Sequence, residues 1–572
     1  MPVVPIRLDS NPTTLLEQAR WLYEHKADQA AVVLIAPDND EQAITYGEFF
    51  EQAARYANAL EGAGVKSGDL VALILQHGEA VLYGFWGAML LGAVPSIFPF
   101  LSDKLDPERY FDSIRQLVTH EDIRVIITYS ELEGELSSRL HESQTTLINK
   151  DTLQPSGNAT HYLSQTPAQP EDTAFLQHSS GSTGLQKGVM LSHRAVINHI
   201  ASYSEAIHLS PDDVIVSWLP LYHDMGLIAG FITPILQGVK LVLMSPFHWV
   251  RDPKMLLLAL DHYKGTLCWL PNFAYNFLAT RVREADIEGL DLSSVRALIN
   301  CSEPVMAESH AIFIERFAPY GLRDSALTVC YAMAENTFAV TQAGIDAPLK
   351  IDVVDRDTLM SDRRAQLADG DSPTLTFVSN GKPIAHCEIR IVDENRQNLP
   401  ERHVGEITLK STFMLSGYFK RPETTATAMD DGWYFTGDMG YVAEGELFIT
   451  GRKKDLIIVG GKNVYPQDIE NLLNEIPGIH PGRTSAFGVM NDKLGTEDIA
   501  IVAEVNGDID ATDRNATAPI IKEVRARIAQ NTDVTARYVH IVAPKWLVKT
   551  SSGKIARTAN REKFIKEVLK QG

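Results

Sequence analysis

Short apolar runs alternate with longer stretches of helix-type spacing between residues 70 and 300. The runs are apolar at successive positions, which is typical of strands buried on both faces of a sheet. Strand and helix in this order predict a large α/β domain with mainly parallel sheets covered on both sides. The runs are VALIL at 71, IRVIIT at 123, AFLQ at 174, DVIVSWL at 213, KLVLM at 240 and RALIN at 296.

The pattern changes after about residue 375, where the strand-like pieces EIRIVD, GEITLK and ELFITG are separated by turns. Such pieces predict a small antiparallel, barrel-like subdomain. From about residue 455 strand and helix alternate on a smaller scale, with a helix start at Pro466 and a helix around 519–530. We therefore expect an N-terminal domain over 1–453 and a small, mobile α+β C-terminal domain over 454–572, joined at the segment GRKKD (451–455).

The segment 80–102 carries no charge and is long enough to cross a bilayer. Pro95 and Pro99 interrupt its second half, so we interpret it as a buried helix that enters a buried strand, without stable membrane insertion. The first twenty residues lack a basic start followed by an apolar core, so no secretory signal is expected.

The charge of the chain limits its partners. It has 572 residues, with 52 basic and 73 acidic side chains, a net charge of -21 and a pI near 5.3. This balance argues against nucleic acid or an anionic membrane as a partner, so any polyanionic ligand must be held by local groups. The four cysteines are far apart and form no C-x-x-C pair, which fits a reducing cytoplasm and gives no zinc motif.

A glycine- and serine-rich stretch follows the strand-like run AFLQ directly and precedes a helical pattern. Glycines let the backbone approach an anion, successive N–H groups and hydroxyls can donate to phosphate oxygens, and a lysine supplies charge. The stretch does not fit a Walker A loop, and by itself it could be an ordinary surface turn. Its candidate phosphate-binding residues are Ser179, Ser180, Gly181, Ser182, Thr183, Gly184 and Lys187.

Six further motifs follow in order: SWLPLYHDMGL at 217, NCSEP at 300, CYAMAE at 330, WYFTGD at 433, GRKKD at 451 and KTSSGK at 549. Together with the glycine-rich stretch they resemble the adenylate-forming superfamily of acyl-CoA synthetases, luciferases and peptide-synthetase adenylation domains. The resemblance covers about residues 12–565. It implies an enzyme that uses ATP and Mg²⁺ to activate a carboxylic acid as an acyl-adenylate.

The resemblance also implies roles for single residues. Thr183 and its neighbours match the ATP phosphate loop, and Glu335 matches the Mg²⁺ ligand, a role that suits a hard oxygen donor. Asp438 and Arg452 match the ribose binders. The residues that match the walls of the adenine pocket are Tyr331, Ser302, Glu303 and Pro304.

Two lysines of the C-terminal domain complete the set. Lys554 matches the lysine that contacts the substrate carboxylate and the α-phosphate, and Lys454 matches the hinge about which this domain rotates between half-reactions. His223 is either an aromatic gate beside the acyl site, as the motif implies, or a packed histidine at a helix start. A zinc role would need more ligands than this His-Asp pair supplies.

Two features resemble the fatty acyl-AMP ligase branch of the superfamily. Glu335 and Gly381 are 46 positions apart, and the extra material around 350–375 looks like the insertion of that branch, although it could be a neutral surface insertion. The sequence of the segment DLIIVGGKNVYPQDIE also resembles that branch. Its members generally pass the acyl group to the phosphopantetheine arm of an acyl carrier protein, which is not fused here. A fatty acyl-CoA synthetase and a non-catalytic acyl- or adenylate-binding module remain as alternatives.

A basic stretch near the end of the chain is a candidate docking surface for an acidic carrier protein. Eight basic residues against two acidic ones lie between positions 545 and 570, although such charges are often only a solvated helix face. The basic residues are Lys545, Lys549, Lys554, Arg557, Arg561, Lys563, Lys566 and Lys570.

Overall fold

The computed structural model describes residues 12–569 apart from 37–39, 102–106, 142, 155–156, 166–167, 179–186, 371, 460–461, 492–495, 533 and 551–552. The α-helices are α1 (Leu15–His25), α2 (Tyr46–Gly62), α3 (Glu79–Leu90), α4 (Pro107–Glu121), α5 (Ser130–Arg139), α6 (Ala159–Gln165), α7 (His193–Ala206), α8 (Thr233–Gln237), α9 (Pro246–Arg251), α10 (Lys254–His262), α11 (Asn272–Arg281), α12 (Ala307–Phe317), α13 (Arg356–Asp362), α14 (Pro422–Ala428), α15 (Pro466–Leu473), α16 (Arg514–Asn531) and α17 (Arg557–Phe564). The strands are β1 (Ala30–Ile35), β2 (Glu41–Thr45), β3 (Leu70–Leu73), β4 (Val94–Ile97), β5 (Val125–Thr128), β6 (Thr146–Asn149), β7 (Thr173–His178), β8 (Gly188–Ser192), β9 (Val214–Ser217), β10 (Lys240–Met244), β11 (Leu267–Leu270), β12 (Ala297–Asn300), β13 (Leu327–Ala332), β14 (Ala339–Gln342), β15 (Ile351–Asp355), β16 (Thr374–Val378), β17 (Lys382–Pro383), β18 (Cys387–Val392), β19 (Gly405–Ser411), β20 (Gly417–Tyr418), β21 (Met429–Asp430), β22 (Trp433–Ala443), β23 (Glu446–Arg452), β24 (Ile457–Val459), β25 (Lys462–Val464), β26 (Ile479–Asn491), β27 (Thr496–Val505) and β28 (Ala536–Val542).

Nine strands form the largest sheet, in the order β17-β14-β13-β12-β11-β9-β10-β1-β2. The strands from β13 to β1 along this order are parallel, and the two edges of the sheet are antiparallel. All residues of β11 and β12 are buried, because helices cover the parallel part on both faces. The predicted α/β class with mainly parallel sheets is confirmed.

The carboxyl ends of β9, β11, β12 and β13 lie side by side, since these strands are neighbours in the parallel part of the sheet. They end at Ser217, Leu270, Asn300 and Ala332, so the segments that follow them meet at one edge. Open parallel sheets bind their ligands at this edge. Three of the sequence motifs, SWLPLYHDMGL, NCSEP and CYAMAE, therefore converge there.

The uncharged segment 80–102 belongs to the helix α3 and the strand β4, which lies in a second, four-stranded parallel sheet of order β4-β3-β5-β6. α3 packs closely on α2: a Cβ atom at Gly87 would lie 2.6 Å from the Cβ of Tyr56, so only glycine fits. The prediction of a buried helix that enters a buried strand is confirmed. Within the described residues, no helix combines the length and the apolar character that a bilayer crossing requires.

The run AFLQ lies in β7, which does not join either parallel sheet. β7 pairs antiparallel with β8, and β8 pairs antiparallel with β20, in a three-stranded sheet of their own. The link between β7 and β8 is the range 179–187, which is shorter than the dozen or more residues that a parallel crossover needs. An apolar run does not show whether the neighbouring strand is parallel or antiparallel, which is why the sequence pattern suggested a parallel strand here.

The barrel-like antiparallel subdomain is confirmed. β18, β19, β22 and β23 pair antiparallel in this order, and the short β21 pairs with β22. The segment expected as an insertion forms the hairpin β15–β16 with α13 between its strands. Val354 and Leu359 of this hairpin are buried against Tyr441 and Phe448 of the barrel-like sheet. The hairpin is therefore packed onto the subdomain rather than extended into solvent.

The C-terminal part, residues 454–569, contains the hairpin β24–β25 and the sheet β26-β27-β28, in which β28 runs parallel to β27. α15 begins at Pro466, as predicted. α16 begins at Arg514, ahead of the expected start, because the Asp513 carboxylate accepts a hydrogen bond from the Asn515 amide and caps the helix. Buried residues such as Ile501 and Val524 form an apolar cluster apart from that of the large sheet.

Candidate active site

Asp438, Tyr331 and Arg452 form one hydrogen-bonded group. Asp438 lies opposite Arg452 in the pair β22–β23, with its Oδ1 3.2 Å from the guanidinium Nε. The Tyr331 hydroxyl, at the end of β13, donates to Oδ2 over 2.6 Å. Burial and the Asp438 carboxylate raise the pKa of Tyr331 well above its ordinary value, so the hydroxyl stays protonated and remains a donor. Because a carboxylate offers about four acceptor positions, Asp438 can also accept from a ribose hydroxyl.

Glu335 lies in the 3₁₀ turn Ala334–Asn336, which follows β13. Its Oε1 accepts a hydrogen bond of 2.8 Å from the Tyr418 hydroxyl, which is also 3.0 Å from the Tyr434 hydroxyl. The ammonium of Lys187 lies 4.8 Å from the centre of the Tyr418 ring, a cation–π distance. Tyr418 therefore joins the predicted magnesium ligand to the predicted lysine of the phosphate loop.

Lys554 reaches from the C-terminal part into the edge of the large sheet. Its ammonium donates to the backbone carbonyl of Ser302 over 2.5 Å. Ser302 follows β12 and has φ 72°, a left-handed conformation that is uncommon outside glycine and that turns its carbonyl out of the strand direction. The predicted catalytic lysine and the predicted adenine-pocket turn are thus in direct contact.

The charge of Lys554 affects the pKa values of His223 and Asp224. Burial lowers the pKa of the His223 imidazole to about 3, and the positive charge of Lys554 contributes, so this ring is neutral near pH 7. Burial raises the pKa of the Asp224 carboxyl; Lys554 opposes this shift and Glu335 adds to it. The Nε2 atom of His223 is buried, and no partner for it occurs among the residues described. Whether His223 gates the acyl site stays a prediction.

Glycine shapes the backbone beside this cluster. The π-helical segment Met225–Ile232 begins directly after Asp224, whose carboxylate accepts a hydrogen bond of 2.8 Å from the Met225 amide. A Cβ atom at Gly226 would lie 2.2 Å from the carbonyl oxygen of Pro220. Only glycine allows this close return of the chain, which brings the His-Asp pair to the sheet edge.

The three residues of the turn Ser302-Glu303-Pro304 differ in their contacts. Ser302 meets Lys554, whereas the Glu303 carboxylate accepts a hydrogen bond of 3.0 Å from the Phe273 amide in the first turn of α11. Pro304 is exposed. The structure therefore brings Ser302 into the cluster and gives Glu303 a helix-capping contact, and the adenine-pocket role of this turn stays a prediction.

The glycine-rich loop falls largely outside the described residues: Ser179, Ser180, Gly181, Ser182, Thr183 and Gly184 are not among them. The strands on either side are described, and His178 at the end of β7 pairs with Gly188 at the start of β8. The His178 ring lies between two buried side chains, 2.8 Å from Ser96 Oγ and 3.0 Å from Glu121 Oε2. This network fixes the point where the loop leaves β7.

Lys454 lies in the 3₁₀ turn Lys453–Asp455, directly after β23 ends at Arg452. Its neighbour Lys453 donates a hydrogen bond of 2.7 Å to Glu406 in the barrel-like sheet. The predicted hinge therefore follows one of the predicted ribose binders without an intervening loop.

No group of three or more His, Cys, Asp or Glu side chains within the described part of the chain is placed to hold a metal ion. The role of Glu335 as a Mg²⁺ ligand stays a prediction.

Sequence reasoning missed three contributors to the cluster. Asp224 could have been found, because it stands beside His223 in the same motif. Tyr418 gave no signal, because a lone tyrosine in a short strand is usually a packing residue. Tyr434 stands in the motif WYFTGD, of which only Asp438 was assigned a role. Tyr418 lies in β20, which pairs with β8, and reaches Glu335 in the turn after β13, while Tyr434 of the barrel-like sheet contacts Tyr418.

The chain is similar to known proteins of one enzyme family. The profile of the AMP-binding enzyme family matches residues 19–419. The chain is 31% identical over 589 aligned positions to the 4-hydroxyphenylalkanoate adenylyltransferase of Mycobacterium tuberculosis, which covers 97% of this chain and 92% of that protein. It is 30% identical to a protein of the same organism provisionally named fatty-acid–CoA ligase FadD21, with 97% and 98% covered.

Two solved structures are similar over nearly the whole length. One, from a study of fatty acyl-adenylate ligases of E. coli and L. pneumophila, has a TM-score of 0.89 and 28% identity and covers 100% of both chains. The other is a fatty acyl-adenylate ligase of L. pneumophila in complex with acyl adenylate and pyrophosphate, with a TM-score of 0.75, 28% identity and 98% of both chains covered.

Proposed function

Because the chain belongs to the family of AMP-binding enzymes, we propose that it is a fatty acyl-AMP ligase. It joins a fatty acid to the AMP moiety of ATP, releases pyrophosphate, and passes the acyl group to the phosphopantetheine thiol of a separate acyl carrier protein. The observation that carries the proposal is the contact of Lys554 with Ser302. It brings Lys554 of the motif KTSSGK, the cation that the adenylation step needs, to the carboxyl edge of the large sheet.

The residues divide the work of adenylation. Asp438, with Tyr331 and Arg452 fixed against it, holds the ribose. Glu335 supplies an oxygen ligand for Mg²⁺, which neutralises phosphate charge when it is bound. Lys554 orients the fatty carboxylate and offsets the negative charge that develops as the carboxylate oxygen attacks the α-phosphorus and pyrophosphate leaves. The reaction is thus promoted mainly by positioning and by preorganised charge.

The choice of a carrier protein over CoA as acceptor is supported by the hairpin β15–β16. Its buried Asp352 carboxylate accepts hydrogen bonds from Arg402, at 3.0 Å, and from the Tyr441 hydroxyl, at 2.7 Å, which anchors the hairpin on the barrel-like sheet. At its other side α13 lies against β25, and Arg356 donates to the backbone carbonyl of Asn531 over 2.6 Å. A segment that is anchored on one body and touches the other limits the rotation that CoA thioesterification needs.

Some basic side chains of the predicted docking surface already contact other residues of the same chain. Arg557 pairs with two carboxylates, and Lys563 donates to the Trp546 carbonyl, whereas Lys545 and Lys566 are exposed. We propose that an acidic carrier protein meets these exposed lysines, and that the protein acts in the reducing cytoplasm, which suits its unpaired thiols.

The test uses the purified full-length chain with a panel of fatty acids, ATP and Mg²⁺. We expect pyrophosphate release and a trappable acyl-adenylate with wild type and a loss of at least 100-fold in Lys554→Ala. No pyrophosphate with any carboxylate would instead support a non-catalytic binding module. Rapid acyl-CoA formation on adding CoA, with no transfer to carrier proteins, would support the acyl-CoA synthetase alternative. Deleting residues 352–372 is expected to raise any CoA activity.

A further inference from the structure

Lys554 sits on a small loop whose base is tied together by one buried side chain. The loop closes through hydrogen bonds from the Thr550 amide to the Lys554 carbonyl, 2.8 Å, and from the Ala556 amide to the Val548 carbonyl, 3.0 Å. Asn560, which is fully buried, accepts from the Val548 amide and donates to the Val548 and Ala556 carbonyls. These bonds join Val548, Thr550, Lys554 and Ala556 to the start of α17.

Arg557, the first residue of α17, connects this loop to two other segments. Its guanidinium donates to Asp455 over 2.5 Å, and to both oxygens of Glu470 over 2.7 and 3.2 Å. Glu470 lies on α15 and also accepts from the Ala486 amide, 2.8 Å, in β26. All three side chains of this ion cluster are largely buried, with 20% of Arg557, 13% of Asp455 and 18% of Glu470 exposed.

Asp455 places one end of the ion cluster beside the predicted hinge. It is the residue directly after Lys454, the predicted hinge, and closes the same 3₁₀ turn. Arg557 is three residues after Lys554. Buried ion clusters of this kind are weak evidence for stabilisation, because desolvation offsets much of the attraction, whereas their fixed geometry specifies one arrangement. A bidentate arginine is suited to this task, since its planar fork fixes orientation as well as distance.

We infer that Arg557 is a positioning residue that makes the Lys554 loop follow the hinge. This rests on the proposed function, in which Lys554 serves adenylation. When the C-terminal part turns about Lys454, the guanidinium transmits the turn through Asp455 and Glu470, so that Lys554 arrives at Ser302 in one orientation. The described hydrogen bonds of the Arg557 side chain go to Asp455 and Glu470, neither of which is a predicted site residue, so Arg557 acts through Lys554.

The experiment compares Arg557→Lys and Arg557→Gln with wild type by pyrophosphate release at varied ATP. Since a misplacement of about 1 Å can cost about 100-fold in rate, we expect kcat to fall between about 10- and 100-fold while the KM for ATP changes less than about threefold. Arg527→Gln is the matched control, because its pair with Glu475, 3.2 Å, lies on the surface of the same part of the chain, and it should leave kcat unchanged.

The double variant Lys554→Ala/Arg557→Gln separates positioning from a merely structural role. If Arg557 acts through Lys554, the double variant has the same residual rate as Lys554→Ala alone, with a thermal midpoint that shows a folded protein. A further fall by the same factor as in the wild-type background would overturn the inference. An unchanged kcat in both Arg557 variants would overturn it as well.

Hydrogen exchange gives a readout that does not depend on activity. We expect Arg557→Gln to raise amide exchange together at 453–457 and 548–556, with the large sheet unaffected. Unchanged exchange at these two segments would refute the coupling. If wild type forms no adenylate with any acid, the proposed function fails, and the exchange measurement still decides whether Arg557 joins the hinge to the lysine loop.

Discussion

Replacing Asp438 with asparagine tests the nucleotide side of the site most directly. The substitution keeps the shape of the side chain and one acceptor oxygen, so the Tyr331 hydroxyl at 2.6 Å can still donate. It removes the charge that pairs with Arg452 at 3.2 Å and that would receive a ribose hydroxyl. The perturbation is therefore limited to the electrostatic part of nucleotide binding.

The size of the effect follows from the contacts. A hydrogen bond to a charged group contributes about 1.5–3 kcal/mol, and about 1.4 kcal/mol corresponds to a factor of ten in affinity. Loss of one such bond to the ribose predicts a rise of about 10- to 150-fold in the KM for ATP. The KM for the fatty acid should change little, because the Lys554 contact lies on another segment.

Pyrophosphate release at varied ATP and saturating fatty acid measures the KM for ATP. The same assay at varied fatty acid and saturating ATP measures the KM for the fatty acid. Asp430→Asn is the matched control, since its pair with Arg396 is on the exposed surface of the neighbouring strand β21. Comparison of ATP with 2′-deoxy-ATP and 3′-deoxy-ATP adds a double-mutant cycle: wild type should lose affinity for at least one analogue, and Asp438→Asn should discriminate less. Full discrimination in the variant, or a rise confined to the KM of the fatty acid, would refute the ribose assignment.

Three further outcomes are expected. Burial lowers the pKa of His199 to about 3, and its Nε2 accepts a hydrogen bond of 2.9 Å from the Ala339 amide. Because this histidine is protonated in the unfolded chain at a higher pH than in the folded protein, the free energy of unfolding should fall as the pH drops below about 6.5, by up to about 1.4 kcal/mol per pH unit for this residue. Urea titrations at pH 7 and pH 5 measure this change, and an unchanged unfolding midpoint would contradict the prediction. Asp352→Ala leaves Arg402 without its buried carboxylate and should destabilise the protein by about 3 kcal/mol, seen as a lower thermal midpoint, whereas the surface variant Glu394→Ala should have little effect. Glu335→Gln should raise the Mg²⁺ concentration needed for half-maximal pyrophosphate release while the fold is kept; an unchanged Mg²⁺ dependence would remove Glu335 as a ligand.

The sequence predicted those parts of the site that depend on local order along the chain. The resemblance named Asp438 and Arg452 as ribose binders, and the structure places them opposite each other in the hairpin of β22 and β23. Strand alternation predicted the mainly parallel sheet, and the strand order of the structure adds the common edge to which three motifs converge. The convergence of the three motifs follows from the strand order and from the rule that ligands bind at the carboxyl edge of parallel strands.

Relations between distant segments could not be predicted in this way. The Tyr418 contact with Glu335 and the His178 contact with Glu121 join elements far apart along the chain, and each arises from the packing of one subdomain on another. The antiparallel sheet of β7 depends on a short connection, which an apolar run does not reveal. Periodicity reports which face of an element is buried and gives no information about what covers it.

The four cysteines have a practical consequence for testing the predicted rotation about Lys454. All four are buried and unpaired, and burial raises the thiol pKa of Cys268, Cys330 and Cys387, so little thiolate is available to react. Thiol-directed dyes should therefore leave the wild-type protein almost unlabelled under native conditions. Two cysteines introduced on the surface, one on either side of Lys454, would then be the main labelling sites and would let single-molecule energy transfer test the predicted rotation without removal of any native cysteine.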